Sequence, residues 1–118
     1  MNSDARYTPE EIARVVHAAM RELQAIQGDR VPAPPWDETT AEMRGVAVAG
    51  VRAVSEDGLS AAGMHAVWME RMTHAGYRWG PDKDAAARTH PCLVDWLSLP
   101  LPQRDKDTLA AAIVMALS

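Results

Sequence analysis

Residues 65–94 read HAVWMERMTHAGYRWGPDKDAAARTHPCLV, and the fold turns on where a helical period stops inside that string. Met64, His65, Trp68 and Met72 recur at the spacing of one helical face, so a helix capped by Ser60 is expected to run to about Ala75. Gly76 then stands where a left-handed C-cap ends a helix. From Tyr77 to Leu99 the helical period is gone. Tyr77-Arg78-Trp79 alternates, as does the short run around Leu93-Val94, which predicts a small two-stranded hairpin or a paired extended segment.

On either side the chain is helical. Thr8 with Glu11 forms a capping box, Pro9 suits a first helical position, and Ile12, Val15, Val16, Ala19, Met20, Leu23 and Ile26 share a face that Gly28 terminates. The prolines at 32–35 form an extended linker that delivers Trp36 as a lid onto the first two helices. A second capping box, Thr39 to Glu42, opens a helix whose Met43, Val46, Ala47, Gly50, Val51 and Val54 share a face; Gly45 and Gly50 weaken it, which predicts close packing at both. The last helix starts near Pro100 or Pro102 and is expected to bury Leu101, Thr108, Leu109, Ala112, Ile113 and Ala116. The fold class is therefore mainly α: about four helices, near 9–26, 40–55, 61–75 and 102–117, with the extended pair between the third and fourth.

With 118 residues the chain is long enough for one core, so 1–118 reads as a single domain with residues 1–7 as a tail. A charged fraction of 24% and the lack of a run near the ~20 apolar residues a span needs argue for a soluble protein that does not enter a membrane. The net charge of -4, with basic residues scattered among acidic ones, argues against a nucleic-acid partner. No basic-then-apolar leader stands at the start, so a cytoplasmic location is expected. The single Cys92 leaves no intramolecular disulfide and no Cys-x-x-Cys zinc pair. There is no Phe, yet there are four Trp and two Tyr, whose polar edges suit recognition better than bulk filling.

The series Trp68, Gly76, Tyr77, Trp79, Gly80, Pro81, Asp84, Thr89, His90, Pro91, Leu93, Val94 resembles the ryanodine-receptor repeat, or RyR domain, with its HxxW, GWxYGP, charged stretch, HPxLVPY and LP. Residues 7–23 (YTPEEIARVVHAAMREL) and 34–54 (PPWDETTAEMRGVAVAGVRAV) are similar to the extension found in stand-alone prokaryotic and phage copies. The chain departs from the pattern in reading Gly-Tyr-Arg-Trp for Gly-Trp-x-Tyr, and in having Asp95 for Pro and Trp96 for Tyr. The resemblance implies a small helical domain that binds nucleotide-derived signals. It also implies pairing, since the receptors carry the module in tandem, so a homodimer or higher closed oligomer is expected with the ligand near the subunit junction.

Trp68 reads either as a core anchor of the third helix or as a stacking face for a flat ligand. His65, one turn earlier, is a buried histidine bonded to backbone or a ligand contact. Tyr77 and Trp79 wall a pocket or cover the end of the helix. Arg71, Arg78, Lys83 and Arg88 are the local cations, of which Arg71, Lys83 and Arg88 join the candidate set as phosphate contacts, with His90 beside them. Thr89-His90-Pro91 suits a turn, and Lys106-Asp107, which matches a charged pair common in the family, reads as structural.

Catalytic and metal motifs are missing from the string: His65 and His74 lack metal-ligand spacing, and no Gly-x-Ser-x-Gly, phosphate-binding loop or dinucleotide fingerprint occurs. Cys92 beside His90 reads as packing rather than a nucleophile and base. The expectation is a non-catalytic domain that needs no cofactor and binds a nucleotide or nucleotide-derived signal, with phage sequestration of a host immune signal as the role the family suggests. The alternative is a protein–protein interaction module without a small ligand.

Overall fold

A computed structural model of the chain describes residues 7–118; the tail expected at 1–7 lies outside the described residues except for Tyr7. Helix α1 spans Pro9–Ile26 and opens on the expected capping box: the Thr8 hydroxyl accepts from the Glu11 amide at 3.1 Å, and the Glu11 carboxylate accepts from the Thr8 amide at 2.8 Å. Helix α2 spans Ala41–Ser55 and is capped by Thr40, not Thr39. The reason is a 3-10 turn over Trp36–Glu38, which takes the Thr39 amide as its closing donor, while the Thr39 hydroxyl bonds Pro35. The first free helical donors therefore come one residue later.

Helix α3 spans Ala61–His74 and ends in a Schellman closure, with the Tyr77 amide on the Met72 carbonyl, the Gly76 amide on the Thr73 carbonyl, and Gly76 at φ +88. Two short strands follow, β1 (Arg78–Trp79) and β2 (Thr89–His90), paired Arg78 to Thr89 and Trp79 to His90. They run parallel, so the pair is an extended-segment pairing and not a hairpin. The second strand is Thr89–His90, not the run at Leu93-Val94, because the intervening loop folds back through an Asp84–Thr89 bridge and the Thr89 hydroxyl bonds the Asp82 carbonyl. A second 3-10 turn, Trp96–Ser98, leads into α4, Leu101–Leu117. None of the described helices is long and apolar enough to cross a membrane.

One core joins the helices: Ile12 and Ala13 of α1, Val51 and Val54 of α2, and Ala111 and Val114 of α4, with Trp36 set among them. Each fully buried aliphatic side chain contributes ~1.5–3 kcal/mol. Trp36 is the expected lid; it meets the His17 ring edge-on at 5.5 Å and lies under the Arg44 guanidinium at 6.0 Å. Two expected faces shift. Val15 and Ile26 of α1 are exposed. In α4 the buried stripe is Ala110, Ala111 and Val114 with Asp107 leading it, whereas Leu101, Thr108, Leu109, Ala112 and Ala116 point outward and Ile113 is half-buried. Small alanines let α4 approach its neighbours closely, which the bulkier leucine stripe would prevent.

The arrangement that positions the site is the packing order. Helices α2 and α4 contact each other, and both α1 and α3 pack on each of them. Helices α1 and α3 are thereby left facing one another across an interior space.

Glycines at two positions make the packing testable. A Cβ on Gly80 would stand 2.7 Å from the Thr89 Cβ, so Gly80→Ala is expected to wedge β1 from β2 and cost ~1–3 kcal/mol. Gly45, expected to pack closely, meets nothing within 4 Å, so Gly45→Ala should stabilise α2 by ~0.5–1 kcal/mol; only Gly50, 3.6 Å from Met64, has the close neighbour. Urea melts of the two variants check both signs.

Candidate ligand-binding site

The space between α1 and α3 is a cavity of about 580 Å³. Its floor is apolar, built from Val16 and Met20 of α1, Val46 and Ala47 of α2, and Met64 of α3. Its polar lining comes from His17 and Gln24 of α1, from α3 and α4, and from three non-helical stretches at 29–31, 81–83 and 90–92.

His65 organises the polar side. It is 5% exposed, and its Nε2–H donates to the Val94 carbonyl at 2.8 Å. A carbonyl only accepts, so the proton is on Nε2 and Nδ1 faces the Asp107 carboxylate at 3.8 Å. Asp107 also accepts from the Gln103 amide at 3.3 Å. Burial pushes its carboxyl above the ordinary range, against the pull of His65 and Gln103. Trp68 stacks on His65 with ring centres 5.5 Å apart, and His90 meets Trp68 edge-on at 5.0 Å. Trp68 lines the cavity, and its ring is braced by two imidazoles.

His90 is fixed by a local bond, its Nδ1 accepting from the Cys92 amide at 3.0 Å. The proton is therefore on Nε2, and burial, with Lys83 close by, pushes the ring's pKa down to about 4, leaving it neutral. The Cys92 thiol is pushed up by burial and then by Asp107, so it stays protonated. Lys83 pairs with Asp29 at 3.5 Å across the cavity edge. Burial alone would raise the Asp29 carboxyl, but the Val31 amide and Lys83 outweigh it and hold it below the ordinary range.

Among the residues singled out from sequence, the fold brings Trp68, His65, Lys83 and His90 together on this wall. It does not bring Tyr77, Trp79, Arg71 or Arg88 there. Tyr77 is half-buried beneath the Arg88 guanidinium, 5.5 Å from its ring, and Trp79 is 57% exposed. Arg88, at a left-handed φ of 55, reaches back to donate to the Ala75 carbonyl at the end of α3, where a cation meets the negative end of the helix, and lies 3.4 Å from Glu42. Arg71 is exposed on α3. The segment after α3 therefore closes the helix end, and the cavity lies on its other side.

No family model and no solved structure matches the chain.

Sequence reasoning missed Asp29, Arg30, Gln103, Lys106 and the placement of Asp107 on the cavity. The available signal was the register of α4: Asp107 falls three and four residues before Ala110 and Ala111 and seven before Val114, which puts a carboxylate on the buried stripe. Among the described residues, no group of three or more His, Cys, Asp and Glu is placed to hold a metal ion.

His90 gives the fold a pH dependence. Its folded value of about 4 lies below its ordinary 6.5, so its contribution is fully present above pH 6.5 and is lost as pH falls from 6.5 towards 4. After discounting for solvent screening the loss is roughly 1–2 kcal/mol. Asp107, raised above 3.8, works the other way. His90→Asn keeps an acceptor for the Cys92 amide and should flatten stability between pH 6.5 and 5 in denaturant titrations; an unaltered slope would assign the dependence elsewhere.

Proposed function

We propose that the chain is a non-catalytic, RyR-type binding domain that holds a small anionic molecule of the nucleotide class in the cavity between α1 and α3. The observation that carries this reading is the make-up of one wall, where an indole and two imidazoles stand beside lysines, opposite an apolar floor. A flat ring gains from aromatic and aliphatic faces, and phosphate oxygens gain from ammonium groups. The volume lies within the usual range for small-molecule sites, ~300–1,000 Å³. Sequestration of a host immune signal by a phage protein is the role that the resemblance adds.

A second reading, a protein-interaction module, is favoured by a separate observation. Leu97 is 81% exposed in the turn before α4, and Leu101, Leu109 and Met115 (68%) also face outward. The same surface suits two-fold self-association, so we propose a homodimer through α4.

Thermal denaturation with ATP, ADP-ribose and cyclic dinucleotides tests the first reading. A ligand at about 100 times its Kd should add ~2.7 kcal/mol of stability. Trp68→Leu should weaken that ligand by ~1–3 kcal/mol, and a folded variant with full affinity would place Trp68 outside the binding surface. Light scattering separates the 12.9 kDa monomer from a dimer, and Leu101→Glu with Met115→Glu should abolish the dimer while leaving nucleotide binding intact.

A further inference from the structure

Resting on the reading that the cavity takes an anionic ligand, we infer that Lys106 and the Nε2–H of His90 form its phosphate subsite, with Lys83 as an auxiliary cation released from Asp29. Lys106 was expected to be structural, and the geometry points instead to the cavity edge, where it is half-buried.

Compensation among the charged groups singles it out. Three cations line the cavity: Arg30, Lys83 and Lys106. Arg30 is exposed to solvent, and Lys83 is engaged by Asp29. Among the described residues Lys106 makes no ion pair. Of the three carboxylates that line the cavity, Asp29 is served by the Val31 amide and Lys83, Asp107 accepts from Gln103, and Asp82 is exposed to solvent. Lys106 acts on Asp29 and Asp107 only at longer range, so its ammonium is available to an incoming anion.

His90 supplies the matching donor. With Nδ1 committed to Cys92, only Nε2–H remains, and it has no hydrogen-bond partner among the described residues. Lys83, Asp29 and Lys106 line the same cavity as this ring, with Lys83 and Asp29 paired at 3.5 Å. A neutral imidazole donates a hydrogen bond without a second desolvated charge, while an ammonium acts on phosphate as a point charge. The opposite floor, Val16, Met20, Val46, Ala47 and Met64, has no side-chain donor for an oxyanion. The ligand's phosphate therefore lies towards Lys106 and His90 and its uncharged ring towards this apolar patch.

Two measurements test the subsite. Inorganic pyrophosphate, followed by NMR, should shift the His90 ring and Lys106 side-chain resonances saturably in the wild-type chain and not in Lys106→Met. ADP-ribose affinity should fall roughly tenfold or more in Lys106→Met, recover substantially in Lys106→Arg, and fall less in Lys83→Met. Lys106 is half-exposed and makes no ion pair, so these variants are expected to fold; their circular dichroism checks it. Pyrophosphate that leaves both resonances unmoved, or Lys106→Met that binds ADP-ribose as the wild type does, overturns the subsite. If ADP-ribose fails to bind the wild type while pyrophosphate still shifts these resonances, the subsite stands and the nucleotide reading falls.

Discussion

The bond from His65 to the Val94 carbonyl is the constraint on which the polar half of the molecule depends. A buried imidazole left without a partner costs ~1–3 kcal/mol, so the ring goes where the carbonyl is. That choice orients the face stacked on Trp68 and turns Nδ1 towards Asp107. Helix α3, the segment leading to Leu99, and helix α4 consequently meet at one side chain. Trp96, 6.0 Å from the same imidazole, shares that meeting point.

The cavity follows from how helices are spaced. Helices α2 and α4 each pack on both α1 and α3 and hold those two apart. Small residues at Ala47, Gly50 and Ala110 line the gap, and the non-helical stretches bring Asp29, Lys83 and His90 to its edge. Helices thus supply the apolar surface of the cavity, and loops supply most of its charged edge.

Much of the fold was legible because its signals are local. Thr8, Ser60 and Gly76 act at helix ends where the backbone needs a partner, and the structure uses each of them so. The α4 face was not legible, because a pattern reading weights large apolar residues and this helix buries alanines. Half of the wall was legible from the His65 and Trp68 spacing. Arg88 misled, since its left-handed backbone turns the guanidinium back on α3, and nothing in a side-chain pattern announces a positive φ at arginine. Lys106 and Asp29 were out of reach because their relation to His90 exists only once distant segments are packed.

The stretch from Asp29 to Pro35 has neither helix nor strand, yet its backbone is held by α1. His17 donates to the Pro34 carbonyl at 2.6 Å, Arg21 to the Ala33 carbonyl at 3.0 Å, and Gln24 accepts from the Ala33 amide at 2.9 Å. A protease needs several residues of free, extended backbone, and this segment offers its main chain only after those three side chains let go. Nicking here would therefore report the loosening of α1 rather than loop motion. Because Asp29 and Val31 belong to the cavity wall, the same clasp makes that wall as durable as the helix behind it.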